Sequence, residues 1–253
     1  MQSDRLDLSN LFDIFFPSEL FSFFFYFTFF NILHLTFLIL TSFHLSLRQE
    51  MANILNNINI KKTRVAELLT RLTDLTTQLS EDVKRNFSEL TPEQLFWKPN
   101  EKSWSAAQCL AHLNAYYSFY IPVFTERIKN TRFRTPGEYF VSSPLGTGSI
   151  LMVKLGKLKN VKRRLKAVKD YNPLVNKTLK TENALEDFLN YQNQMLKVLA
   201  DARFINIRKA KCTLAITQLV KLRLGDAFSF VVYHNERHVE QAKNVIKTKG
   251  FPA

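Results

Sequence analysis

Apolar residues recur every three or four positions in four long stretches of this 253-residue chain. That spacing places them on one face of an α-helix and leaves polar residues on the other. The stretches predict helices at about 61–87, 105–129, 181–202 and 225–249. Ser105 and Gln108 fit a capping box for the second helix, Thr181 is the expected cap of the third, and Gly250 suits the end of the fourth.

The segments between these stretches predict two long connections, at about 130–180 and 203–223. The chain shows no convincing strand pattern, no internal repeat and no glycine-rich phosphate loop. Amphipathic helices of this length must bury their apolar faces against one another. The sequence therefore predicts an all-α protein with a four-helix bundle, a fold whose core often houses metal sites built from facing helices.

Three histidines fall on the inward faces of these helices. His234 and His238 are four residues apart in the last helix, so their rings lie on one face, one turn apart. His112 lies on the apolar stripe of the second helix. Neutral imidazole is a good ligand for zinc, nickel, iron and copper, and three protein nitrogens leave room for water or a thiol. We therefore predict that His112, His234 and His238 bind one divalent metal ion, with zinc, nickel and iron left open.

The competing interpretation is that each histidine is a hydrogen-bonded core residue. A zinc-protease motif does not fit, because Asn235 stands where that motif needs its glutamate and Glu236 should point away from the metal. The expected role of Cys109 is a core residue, and Glu236 and Arg237 are expected at the surface or behind the ligands. Gln241 is placed to orient a ligand, and three tyrosines are candidate hydrogen-bond donors near the site: Tyr116, Tyr120 and Tyr233.

The charge of the chain is uneven. The formal net charge is +13, yet residues 1–50 carry only two basic groups against five acidic ones, so the remainder is close to +16. Eight basic residues and no acidic one lie between 154 and 169. This charge favours anionic partners, but the chain has no recognisable nucleic-acid motif, so specific nucleic-acid binding is the least favoured function. Two cysteines are too few for a disulfide framework and indicate a reducing compartment.

The first fifty residues differ from the rest. They hold 12 of the 23 phenylalanines, and residues 20–40 contain no charge, which is long enough to cross a bilayer as a helix. Residues 1–50 are therefore either a membrane tether or the translation of AT-rich non-coding DNA, with Met51 as the natural start. Under both interpretations residues 51–253 form a cytoplasmic domain.

Two sequence segments resemble the DinB-like superfamily. They are Trp104-Ser-Ala-Ala-Gln-Cys-Leu-Ala-His-Leu113, which resembles its second helix, and Gly225-Asp-Ala-Phe-Ser-Phe-Val-Val-Tyr-His-Asn-Glu-Arg-His-Val-Glu-Gln241, which resembles its last. The connector Leu90-Thr-Pro-Glu-Gln-Leu-Phe-Trp-Lys-Pro99 is also similar, and the resemblance covers about residues 60–248. It implies an up-down-down-up four-helix bundle with a divalent metal held by His112, His234 and His238. Residues 1–50 and the basic stretch 154–169 lie outside the family pattern.

Relatives with this resemblance include thiol S-transferases that use bacillithiol and thiol-dependent isomerases, while many have no known activity. The leading expectation is a metal-dependent enzyme that activates a low-molecular-weight thiol toward a small electrophilic substrate, or a hydrolase that activates water. The alternative is a non-catalytic metal-binding module of a stress response. The catalytic residues, the thiol and a possible homodimer stay open.

Overall fold

Four long helices dominate the computed structural model, which describes residues 62–156 and 166–252. They are α1 (Val65–Phe87), α3 (Ala106–Asn130), α5 (Ala184–Asp201) and α6 (Leu224–Ile246). The described residues also form the shorter α2 (Pro92–Phe96) and α4 (Pro144–Val153), two 3₁₀ turns (Lys169–Tyr171 and Ala202–Phe204), and four short strands, of which the first precedes α1. The strands pair as antiparallel hairpins, β1 (Thr63–Arg64) with β2 (Tyr139–Phe140), and β3 (Lys211–Leu214) with β4 (Thr217–Arg223).

The direction of each long helix follows from the contacts that its first and last residues make. The first residues of α1 and α6 both contact the strand β2 region, since the Val65 amide donates to the Glu138 carbonyl and Gly225 packs on the Phe140 ring. The ends of α3 and α5 meet each other, since the Asn206 amide donates to the Phe133 carbonyl. The Gly225 amide donates to the carbonyl of Ile207 just after α5. One end of the bundle therefore holds the starts of α1 and α6 and the ends of α3 and α5, which is the up-down-down-up topology.

The helices share one apolar core. Helix α3 packs against α5 and α6, and α1 packs against the same two helices from the opposite corner. Buried side chains from all four helices meet in one cluster, and its largest fully buried members are Tyr117, Tyr120, Phe87, Phe124, Phe188, Phe228, Leu69, Leu72, Leu110, Leu113, Met195 and Leu199. Each fully buried Leu or Phe stabilises the fold by roughly 1.5–3 kcal/mol, so tertiary packing holds the helices at these positions.

Helix α3 begins as the sequence predicts. The Ser105 hydroxyl accepts from the Gln108 amide at 3.1 Å, and the Gln108 side chain accepts from the Ser105 amide at 3.1 Å. This reciprocal pair satisfies two backbone donors that a helix start otherwise leaves open. Pro122 lies inside α3 without ending it. The start of α3 is thus fixed, and with it the position of His112 two turns further on.

The connection before α4 is tied to α6 by a buried carboxylate. Asp226 Oδ2 accepts from the Ser143 amide at 3.0 Å and from the Ser143 hydroxyl at 2.8 Å. Gly146 lies so close that a Cβ there would come within 2.1 Å of the Asp226 carboxyl group. The negative side chain at the start of α4 complements the exposed amides of that helix terminus. Helix α4 is consequently held against α6.

Several local predictions differ from the structure. Helix α5 begins at Ala184 rather than at a Thr181 cap, and Asn183 precedes it without a side-chain cap. Its buried stripe includes Phe188, Gln192, Met195, Val198 and Leu199. The prediction of no strand between 203 and 223 is wrong, because the β3–β4 hairpin occupies that connection and buries Cys212 and Leu222.

Other predictions fall beyond the described ranges. The membrane or mistranslation interpretations of residues 1–50, including the uncharged run 20–40, concern residues outside them, as do residues 157–165 of the basic stretch. Within 62–156 and 166–252, no helix combines the length and the apolar character that crossing a bilayer requires.

Candidate metal centre

The three predicted histidines converge on one point of the bundle. His112 comes from α3, and His234 and His238 come from α6, and all three are buried. One ring nitrogen from each lies within 4.8 Å of the other two. The i, i+4 spacing brings His234 and His238 to the same face of α6, and the antiparallel packing of α3 on α6 brings His112 opposite them. In the described part of the chain, this is the group of side chains suited to hold a metal ion.

The closest approach is between two Nε2 atoms. His112 Nε2 and His234 Nε2 are 3.3 Å apart. The rings of His112 and His238 have centroids 4.5 Å apart, and those of His234 and His238 are 4.6 Å apart. Rings at these separations point their nitrogens at a shared centre rather than at three separate partners.

Burial keeps the three imidazoles neutral. Desolvation lowers the pKa of His112 to about 4, an effect that its hydrogen bond to the Tyr171 carbonyl only partly opposes. Desolvation also lowers the pKa of His234 and of His238 well below the usual value, and the neighbouring histidines and Arg237 add to this effect. Neutral imidazole is the form that binds a metal ion, so at neutral pH the three histidines have the protonation state that metal binding requires.

Two of the histidines have an acceptor on the ring nitrogen that faces away from the cluster. His112 Nδ1 lies 2.5 Å from the carbonyl oxygen of Tyr171, and His238 Nδ1 lies 2.9 Å from Gln241 Oε1. The carbonyl oxygen can only accept, so His112 carries its proton on Nδ1 and directs the lone pair of Nε2 to the cluster. Hydrogen bonds of this kind orient metal-binding histidines in proteins.

Aromatic rings surround the cluster. Trp104 stacks on His238 with ring centroids 5.5 Å apart and also contacts His112 at 4.8 Å. Tyr116 contacts His234 at 4.7 Å, and Phe230 stacks on the same ring at 5.6 Å. Such walls lower the local dielectric and exclude water from the ligands.

Tyr171 closes the cluster from the long connection between α3 and α5. Its carbonyl accepts from His112, its ring packs on Tyr116 with centroids 4.3 Å apart, and its hydroxyl donates to the Ala215 carbonyl at 3.3 Å. Nothing in the sequence singles out Tyr171, because its contribution is a backbone oxygen brought in from 59 positions away. Phe230 was not predicted at the site either, and Trp104 was identified at the start of α3 but not as a contact of the histidines.

The structure places Cys109 and the three candidate tyrosines in different surroundings. Cys109 is fully buried in the apolar core, and desolvation raises its pKa, as its core role predicts. Tyr116 lies against two of the histidines, but the Tyr120 hydroxyl accepts from the Ala215 amide at the hairpin instead. Tyr233 faces away, where Lys154 sits 4.7 Å from the centre of its ring.

Three residues flank the α6 histidines, and for Glu236 and Arg237 the sequence left open the surface or a position behind the ligands. Arg237 is buried, with 7% of its surface exposed, and its charge acts on both α6 histidines. Of the two predicted positions, the structure therefore agrees with the one behind the histidines. Glu236 is half-buried. Asn235 points into the core, where its amide donates to the Tyr117 hydroxyl.

The sequence of the chain matches a family model described as the DinB superfamily over residues 68–242, which include all three histidines. The chain belongs to the DinB superfamily. A solved structure similar to this DinB-superfamily chain is that of YfiT from Bacillus subtilis, described as "a probable metal-dependent hydrolase with an unusual four-helix bundle topology". The two are 14% identical, the similarity covers 73% of this chain and 89% of that one, and the TM-score is 0.44. No curated protein is similar enough to match the chain.

Proposed function

We propose that this protein is a metal-dependent enzyme in which His112, His234 and His238 hold one divalent ion and a low-molecular-weight thiol reacts with a small electrophile at that ion. The observation that carries the proposal is the set of three buried, neutral imidazoles with ring nitrogens within 4.8 Å of one another. Burying three such groups together has no apolar packing advantage over leucine or phenylalanine. A shared cation explains why they face each other.

The donor set fits a first-row divalent ion. Two imidazole nitrogens that each lie about 2.0–2.1 Å from one tetrahedral ion are separated by about 3.3 Å. His112 Nε2 and His234 Nε2 are 3.3 Å apart. Imidazole suits zinc, nickel and iron alike, so the geometry does not select among them. A three-histidine set also leaves at least one coordination position for a substrate, whereas structural zinc sites use four protein ligands.

An ion held by these three histidines would supply Lewis-acid chemistry at this point and would lower the pKa of a thiol or a water molecule. The surrounding residues determine which of the two is favoured. Trp104, Tyr116 and Phe230 surround the ligands with apolar surface, which favours a weakly hydrated sulfur over bulk water. Tyr116 keeps its proton, because desolvation raises its pKa to about 12, so its hydroxyl is a hydrogen-bond donor at neutral pH.

Arg237 adds a positive charge beside the ligands. It is buried next to His234 and His238, where its field lowers their pKa values. The positive net charge of the chain supports an anionic thiol or an anionic electrophile as the preferred partner.

The first experiment measures metal content. Elemental analysis of the purified full chain should find about one divalent ion per molecule, and a His238→Ala variant should lose most of it. Tyr233→Phe is the matched control, because Tyr233 lies on the same helix but faces away from the cluster. Equal metal content in the wild type and in His238→Ala would overturn the proposed site.

The second experiment distinguishes the reactions. Loss of a free thiol in the presence of common electrophiles is followed with and without added metal, and ester and amide hydrolysis is followed in parallel. Metal-dependent thiol loss in the wild type, absent in His238→Ala, supports the transferase. Metal-dependent hydrolysis without thiol loss would show that the protein is a hydrolase and not a transferase. Bound metal without either reaction would show that it is a non-catalytic metal-binding module.

A further inference from the structure

Gln241 occupies a defined position relative to the histidine cluster. It lies on α6, three residues after His238, so one helical turn places its side chain beside that ring. Its Oε1 atom is 2.9 Å from His238 Nδ1. The Gln241 side chain is half-buried and belongs to a regular helix, so its position is tied to that of the histidine that it contacts.

The contact determines which ring nitrogen carries the proton. A neutral imidazole has one N–H and one lone pair, and an acceptor beside Nδ1 favours the form with the proton on Nδ1. The lone pair then belongs to Nε2. The opposite form would place a proton on Nε2 and remove the ring as a ligand.

His112 provides an internal comparison. Its Nδ1 faces the Tyr171 carbonyl, an oxygen that cannot donate, so its Nε2 is available to the cluster without help from any side chain. In His238, the acceptor beside Nδ1 is instead the side-chain amide of Gln241, and a substitution can remove that acceptor. The two ligands thus use the same chemistry with different kinds of acceptor.

We infer that Gln241 is a positioning residue that holds His238 with its proton on Nδ1 and thereby sets the metal affinity of the site. The inference deepens the proposed function, since it rests on the same cluster as a metal site. Gln241 acts on the site through His238 and does not contact the reacting molecules.

The test uses two substitutions in the full chain. Gln241→Leu removes the acceptor and keeps a side chain of similar bulk, whereas Gln241→Glu keeps an acceptor oxygen. Gln78→Leu is the matched control, because Gln78 is an exposed glutamine on α1. Unfolding temperatures of the metal-free variants show whether any loss reflects the fold alone.

The first measurement is ¹⁵N NMR of the His238 ring in the metal-free protein. Wild type, Gln241→Glu and Gln78→Leu should show the proton predominantly on Nδ1, and Gln241→Leu should shift a substantial share of it to Nε2. An unchanged proton position in Gln241→Leu overturns the inference. This measurement needs no metal, so its result stands even where the wild type binds none and the proposed function fails.

The second measurement is the Kd for Zn²⁺, obtained by competition with a chelator. Gln241→Leu should weaken binding about 10–100-fold, as losses of this kind of orienting bond typically do. Gln241→Glu should restore it, and Gln78→Leu should not change it. Unchanged binding in Gln241→Leu, or a loss that merely parallels a lowered unfolding temperature, contradicts the assigned role.

Discussion

Adjacent residues of α6 belong to two buried polar clusters with opposite properties. Asn235 donates to the Tyr117 hydroxyl, which donates to Gln192 Oε1 at 3.1 Å, so this network joins α6, α3 and α5. His234, the preceding residue, faces His112 and His238 instead. Amides and hydroxyls carry donors and acceptors that pair with one another, whereas three buried imidazoles that face each other can also share a cation. The first cluster joins three helices, and the second is the proposed metal site.

This difference predicts how each cluster responds to acid, to metal and to substitution. A fold-stabilising cluster should affect the free energy of unfolding but not metal binding. A ligand-binding cluster should make stability depend on protons and on metal. The three measurements below test this contrast, beginning with the largest expected effect.

Acid should weaken the metal-free protein through the histidine cluster. The pKa of His112 is about 4 in the folded chain against an ordinary 6.5, so the unfolded chain binds more protons between these values. The contribution of the neutral His112 to the free energy of unfolding is fully present above pH about 6.5 and is lost as the pH falls toward about 4. At about 1.4 kcal/mol per pKa unit, His112 alone accounts for a loss of about 3 kcal/mol. His234 and His238 act in the same direction.

Urea unfolding between pH 7 and 4.5 measures this loss. A His112→Gln variant should lose less stability over the same range, because its side chain does not titrate. The carboxylates of the chain titrate in both proteins and cancel in the comparison. Equal slopes in the two proteins would show that His112 is not held neutral.

Metal should stabilise the protein by an amount set by its affinity. At a free metal concentration about 100 times the Kd, the free energy of unfolding should rise by about 2.7 kcal/mol. A His234→Ala variant should show no such rise, whereas Tyr117→Phe should show all of it. Thermal or urea unfolding at fixed pH measures the increment. A full increment in His234→Ala would place the metal elsewhere.

Removing the Tyr117 hydroxyl should weaken the fold and leave the metal site unchanged. Tyr117→Phe deprives Asn235 of its acceptor and Gln192 of its donor in a fully buried setting. Leaving such groups unpaired costs about 1–3 kcal/mol. Urea unfolding should detect this loss, and the Kd for Zn²⁺ should match that of the wild type. A Kd weaker by tenfold would mean that the two clusters are not separate.

The sequence predicted the parts of the molecule that depend on local pattern. The bundle follows from helical periodicity, the start of α3 from the Ser105–Gln108 pair, and the convergence of His112 with His234 and His238 from their inward-facing positions. Gln241 was placed beside a ligand from the helical spacing alone. These features involve residues a turn apart, or faces that must be buried in any bundle.

The features that were missed depend on tertiary contacts. The carbonyl of Tyr171 has no side-chain signature, since every residue carries such an oxygen. The β3–β4 hairpin mixes apolar and basic residues, and Leu219 is 95% exposed, so its alternation is weak. For Arg237 the sequence left open the surface or a position behind the histidines, and the packing around α6 decides between them by burying it.

The Tyr171 contact has an evolutionary consequence. Because α3 and α5 run in the same direction, the chain must return along the bundle between them, and this return segment delivers the oxygen that orients His112. Any amino acid at position 171 retains that oxygen, whereas only tyrosine keeps both the ring contact with Tyr116 and the hydroxyl hydrogen bond to Ala215. An insertion or deletion that moves residue 171 would take this oxygen away from His112, so we expect the length of this connection to vary less among relatives of the protein than its amino-acid sequence does.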